Sequence, residues 1–132
     1  MKLVIDTSIL IAVLISEPER ERLVELTRGA ELVAPASVHW EVGNALSAML
    51  RRNRITVEQC RNVLAAYELI PVRFVDVDIA DALELAERRK LYAYDAYVIA
   101  CAQTLRCGLL SLDRILCESA IREGIRVLEV KR

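Results

Sequence analysis

Short apolar runs alternate with longer stretches of helical period along the whole chain, and that alternation limits the fold more than any other feature. Residues 2–5 (KLVI), 31–34 (ELVA), 73–77 (RFVDV), 109–112 (LLSL) and 126–130 (RVLEV) read as strands. The intervals between them repeat apolar residues at helical spacing, with capping residues at their starts. Helices are expected over 7–14, from Glu17-Pro18 to Gly29, from Ala36 or Ser37 to about Arg52, from the Thr56/Gln59 capping box through Tyr67, from the Asp78 cap to about Lys90, over 93–105, and over 114–122. Strands separated by crossover helices pair in parallel, so the pattern specifies an α/β domain with a mostly parallel sheet of four or five strands. A length of 132 residues suits one domain over 1–132.

Composition removes several functional classes. The 55% apolar content is high for a chain of this size, and the surplus suits a surface for a second copy or a partner. No apolar run is long enough to span a bilayer. Asp6 interrupts the N-terminal run, and no small-residue cleavage site follows it, so a cytoplasmic, membrane-free protein is expected. The cysteines Cys60, Cys101, Cys107 and Cys117 form no CxxC pair, which argues against zinc. The four glycines are scattered, so no phosphate-cradling loop can form. His39 is the only histidine and no GxSxG elbow accompanies it, which leaves no Ser-His-Asp hydrolase. The net charge of −1 gives no general attraction to nucleic acid. Basic residues do cluster at Arg51, Arg52 and Arg54 and at Arg88, Arg89 and Lys90. Both clusters sit at expected helix C-termini, where the dipole favours cations, and both could also contact phosphate.

Four acidic residues stand where carboxylates need a reason. Asp6 and Asp113 each follow an apolar strand and precede a helix, a position that suits both an N-cap and a ligand site beyond the carboxyl ends of parallel strands. Asp95 lies in YAYDAYVIACA, apolar on both sides, where a buried carboxylate without a partner is costly. Glu41 lies inside a helix and cannot cap it. Spacings of four and three put Ser37, Glu41 and Asn44 on one face, a narrow polar stripe on an otherwise apolar helix. If these four carboxylates meet, their all-oxygen, anionic donors suit Mg2+ or Mn2+, and such an ion serves phosphoryl chemistry.

VIDTSIL, the glutamate of SVHWEVGNAL, YAYDAYVIACA, and SLDRIL followed by GIRVLEV together resemble the PIN-domain ribonucleases, and among them the VapC-type toxins of VapBC toxin–antitoxin modules. The resemblance covers essentially the whole chain. It implies a three-layer α/β/α sandwich around a central parallel sheet and Mg2+- or Mn2+-dependent cleavage of single-stranded RNA. It makes Asp6, Asp95 and Asp113 metal ligands, with Glu41 holding the metal directly or through water. Ser8, Ser111 and Asn44 become supporting residues, Ser111 standing where many relatives carry threonine. It also implies a homodimer and a VapB-type antitoxin. A PIN-domain nuclease that processes RNA without an antitoxin is the alternative. A receiver-like signalling module fits poorly, because no acidic pair follows the first strand and no lysine is suitably placed late in the chain.

Overall fold

The computed structural model describes residues 1–130. Strands β1 (Lys2–Ile5), β2 (Glu31–Pro35), β3 (Val72–Val75) and β4 (Gly108–Leu110) form one sheet in the order β3-β2-β1-β4. All pairings are parallel, with Leu3 beside Leu32 and Gly108, and Leu32 beside Val72. Helices α1 (Thr7–Leu14) and α2 (Arg20–Thr27) connect β1 to β2. Helices α3 (Ser37–Arg51) and α4 (Val57–Glu68) connect β2 to β3, and α5 (Ile79–Arg89) and α6 (Ala93–Leu105) connect β3 to β4. Helix α7 (Arg114–Arg122) follows. This is the expected α/β architecture, and its physical basis is plain in the burial. Leu3, Val4 and Ile5 are all buried, as a central parallel strand covered on both faces requires. Helix α6 is apolar nearly all round, with six buried residues from Ala96 to Ala102, and packs across β1 and β2.

The local signals mostly hold. Thr56 accepts from Gln59 N at 3.1 Å and donates its own N–H to Gln59 Oε1 at 2.9 Å, completing the capping box of α4. Asp78 Oδ1 accepts from Asp81 N at 3.0 Å at the start of α5. Gly29, just past α2, takes a φ of +76° that side chains disfavour. Among the described residues no helix is long and apolar enough to cross a membrane.

Two expectations need correction. Helix α2 starts at Arg20 and not at Glu17-Pro18. Ser16 reverses the chain at φ +56°, and residues 17–19 form a turn closed by Arg20 N donating to Glu17 O at 2.9 Å. The fifth strand, over 126–130, is reduced to a single parallel bridge between Leu109 and Val127. Leu109 N donates to Arg126 O and Leu128 N donates to Leu109 O, each at 3.0 Å, and the ladder stops there because β4 itself is only three residues long. Gly108 makes that approach possible: a Cβ there would lie 3.3 Å from Arg126 O.

The second basic cluster has a structural occupation. Arg88 donates through Nη2 to Glu123 Oε1 at 2.9 Å, Arg89 donates through Nε to Glu123 Oε2 at 2.6 Å, and Gln103 adds a bond at 3.2 Å. Held chiefly by Arg88, with Arg89 and Gln103, the Glu123 carboxyl has its pKa lowered to about 2. This clamp ties the end of α5 to the end of α7. Lys90 pairs with Glu87 at 2.9 Å.

Candidate active site

The sheet order sets where the site lies. From β1 the chain winds outward through β2 to β3, then crosses back so that β4 lands on the other side of β1. The reversal falls between β1 and β4, and open parallel sheets bind ligands beyond the carboxyl ends of strands at such a point. Asp6 follows β1 directly, and Ser111 and Asp113 follow β4.

Asp6 is buried at 7% exposure and tied down on both oxygens. Ser8 Oγ donates to Oδ1 at 2.6 Å and Ser111 Oγ donates to Oδ2. The two hydroxyls also accept backbone N–H groups, Ser8 from Leu112 at 2.9 Å and Ser111 from Asp113 at 3.0 Å. A serine pair thus latches the end of β1 to the end of β4 and fixes the aspartate between them. Asp6 also caps α1, accepting from Ile9 N at 3.4 Å. Asp113 is exposed and caps α7, accepting from Leu116 N at 3.1 Å. The cap and site roles coincide at both positions.

Glu41 and Asp95 reach the same corner from helices. Helix α3 packs against α1 and α6, which brings the Glu41 face of α3 toward Asp6 and the first turn of α6. Asp95 lies in that first turn, where the helix dipole favours a carboxylate, and it is not the cap; Tyr92 holds the N-cap position. Among the described residues Asp95 accepts no hydrogen bond. Glu41 Oε2 is buried without a partner, and so is the hydroxyl of Ser37 one turn earlier. Ser37 lies close enough to lower the Glu41 pKa somewhat, but it is not aligned for a hydrogen bond.

The electrostatics record the convergence. Burial raises the Glu41 pKa to about 7, and the charges of Asp6 and Asp95 push the same way. Burial also raises Asp95, with Asp113 and Asp6 adding repulsion. Burial raises Asp6 despite its serine bonds, with Asp113 adding to the rise. Asp6, Glu41 and Asp95 therefore each feel at least one other carboxylate across elements that are distant in sequence.

The donors fit a hard divalent cation. They are carboxylate and hydroxyl oxygens, one carboxylate oxygen is buried and unpartnered, and among the described residues none of the four acids is ion-paired. Cys117 is the one soft group nearby. Its thiol donates to Ser111 O at 3.5 Å, and burial, with Asp6 and Asp113, pushes its pKa up to about 11, so it stays protonated at neutral pH. Among the described residues no three acidic, Cys or His side chains already stand in ligating positions, so cation binding would draw the carboxylates closer together. A cavity of about 880 Å³ lies at the opposite edge of the sheet beside Lys2, Arg106 and Gly108, and contains none of the four.

Asn44 is exposed one turn beyond Glu41 and makes no hydrogen bond to the carboxylates among the described residues. His39 is outside the site: its Nδ1 lies 3.0 Å from the Tyr67 hydroxyl, among the rings of Trp40, Tyr67 and Phe74. Sequence reasoning assigned no role to Cys117 or to Thr7, whose hydroxyl is buried without a partner immediately after Asp6. Neither residue type carries a signal that distinguishes it from a packing residue.

A parallel sheet with acids gathered at its switch point defines a class, and the chain belongs to the PIN domain family, whose model matches residues 3–122. It is similar to Ribonuclease VapC3 of Pyrobaculum aerophilum, 29% identical over 123 residues that cover 89% of this chain and 94% of that one. It is also similar to Ribonuclease VapC9 of Mycobacterium tuberculosis, 28% identical over 119 residues, covering 89% and 90%. Among solved structures it shares the fold of PAE2754 from Pyrobaculum aerophilum, at a TM-score of 0.67 and 20% identity over 96% of this chain and 92% of that one. The fold of VapBC2 from Rickettsia felis, crystallised with a DNA fragment from its promoter, matches at a TM-score of 0.67 and 14% identity over 97% and 98%.

Proposed function

We propose that this PIN-domain protein is a metal-dependent endoribonuclease that hydrolyses RNA phosphodiester bonds at the corner formed by Asp6, Glu41, Asp95 and Asp113. The observation that carries the reading is the meeting of these carboxylates from β1, α3, α6 and β4, with Glu41 Oε2 left buried and unpartnered. The similarity to VapC ribonucleases supports the substrate class.

Asp6, Asp95 and Asp113 would hold Mg2+ or Mn2+, with Glu41 beside them. Bound there, the ion would acidify water and offset the negative charge of the scissile phosphate. Ser8 and Ser111 keep Asp6 in one rotamer, so this acid is oriented before substrate arrives. Glu41, with a free oxygen beside the aspartates, is the group suited to accept a proton from the attacking water. On this reading water, and not the 2′-hydroxyl of the RNA, is the nucleophile. Products should therefore carry 5′-phosphate and 3′-hydroxyl ends. Cleavage of a labelled single-stranded RNA should fall to background in excess EDTA and return with Mg2+ or Mn2+. Full activity in EDTA would remove the metal from the mechanism.

The biological role we assign is the toxin of a type II pair, neutralised by a VapB-type antitoxin in the cytoplasm and acting as a homodimer. The similarity to VapC proteins and the fold shared with VapBC2 support this reading. Large exposed apolar side chains, including Trp40 at 71%, Leu69 at 84% and Tyr92 at 85%, are consistent with covered surfaces in an assembly. Expression of the chain alone should arrest bacterial growth, and Asp95→Asn should restore it. Growth unaffected by the unmodified, soluble chain would favour an RNA-processing nuclease without an antitoxin.

A further inference from the structure

A corner of four carboxylates repels a polyanion, and the chain as a whole carries a net charge of −1. An RNA strand must therefore be held by cations away from the reacting phosphate. Six cations are engaged in ion pairs. Arg88 and Arg89 are bound to Glu123, Lys90 to Glu87, Arg22 to Glu25, Arg73 to Glu31 and Arg114 to Glu118. Lys2, Arg106 and Arg126 surround the large cavity at the opposite edge of the sheet.

Single arginines such as Arg28, Arg61 and Arg122 are also exposed and unpaired, but among the described residues Arg51, Arg52 and Arg54 are the one run of three unpaired cations within four positions. All three are exposed, and none is ion-paired among the described residues. Arg51 is the last residue of α3, the helix that carries Glu41, Arg52 is its C-cap, and Arg54 follows just past the turn at Asn53. At about 100° per residue, Ser37, Glu41, Ala48 and Arg52 fall along one edge of that helix, with Asn44 and Arg51 just beside it. At a rise of about 1.5 Å per residue, Arg52 stands roughly 16 Å beyond Glu41, a few nucleotides along a single strand. Only small side chains, Asn44 and Ala48, intervene on that edge.

We propose that the edge of α3 is the track on which the RNA strand lies, with Arg51, Arg52 and Arg54 gripping phosphates a few nucleotides from the bond that is cut. The guanidinium fork suits phosphate oxygens, and three such contacts carry no base code, so the track positions the strand without selecting sequence. The proposal rests on the nuclease reading and names residues that bind its substrate.

The test uses the full chain with Asp95→Asn, in Mg2+, and a fluorescein-labelled uridine 20-mer. Adding Arg51→Ala, Arg52→Ala and Arg54→Ala together should weaken binding about tenfold or more. It should also reduce the slope of log K against log salt by about 2, at roughly 0.7 per phosphate contact on a single strand. Replacing the three by lysine should keep most of the slope, and Arg106→Ala, across the molecule, should leave it unchanged. In the otherwise unmodified chain the alanine triple should raise KM before it lowers kcat. An unchanged slope in the alanine triple, or an equal loss in Arg106→Ala, would overturn the track. Absence of cleavage by the unmodified chain would instead refute the nuclease reading, whatever the salt slope.

Discussion

Asp6→Asn should lower RNA cleavage by a hundredfold or more while the metal-free protein becomes more stable, not less. Loss of a charged ligand should exceed the roughly 10–100-fold effect of losing an outer partner of a metal site. The fold should tolerate the change because the amide is nearly the same size and can keep the Ser8 bond on its oxygen. Ser111, now facing an NH2, can rotate its hydroxyl and accept instead, alongside the Asp113 N–H it already accepts. The gain in metal-free stability follows from the sign of the shift: burial and the charge of Asp113 both disfavour ionised Asp6. Activity, together with thermal melting at pH 8 with and without Mg2+, checks both halves. The variant should melt higher than the parent in EDTA and gain less from Mg2+. A variant that cleaves as fast as the parent would take Asp6 out of the site.

The second large effect is on pH dependence. Asp6 and Asp95 are raised above 3.8 and Glu41 from 4.5 to about 7 in the folded, metal-free chain. Between these limits the folded state holds protons that the unfolded state has released, so stability falls as pH rises. The fall should begin near pH 4, and the Glu41 share of it is complete once pH passes about 7, where Glu41 is ionised in both states. Glu123 acts in the opposite sense. Its pKa is lowered to about 2, so its contribution is complete above 4.5 and is lost as pH falls toward 2. The melting temperature in EDTA should therefore peak near pH 4–5, and saturating Mg2+ should flatten the decline above it. A metal-free melting temperature that climbs from pH 5 to 7 would show that the carboxylates do not repel one another as placed.

The parts of this molecule that were readable in advance are those governed by near neighbours in the chain. The Thr56/Gln59 box, the Asp78 cap and the buried run before Asp6 each depend on residues within a turn or a strand, and each is found where expected. The convergence of Glu41 with the aspartates was readable only through the spacing on α3 and the family pattern, since nothing local requires it. What escaped is set by distant contacts. The Arg88–Arg89–Glu123 clamp joins residues more than thirty positions apart, and from sequence those arginines look as free as Arg51 and Arg52. The last apolar run had the composition of a strand, but the shortness of β4 leaves it almost nothing to pair with.

Because β4 pairs beside β1, Asp6 depends on a partner, Ser111, that lies 105 positions later in the chain. A nascent chain halted anywhere before that point carries Asp6 with one side of its latch missing and Asp113 not yet made. On the nuclease reading, the corner stays incomplete during synthesis until Asp113 has been made and β4 has paired beside β1. Premature termination then yields inert fragments, not partly active ones.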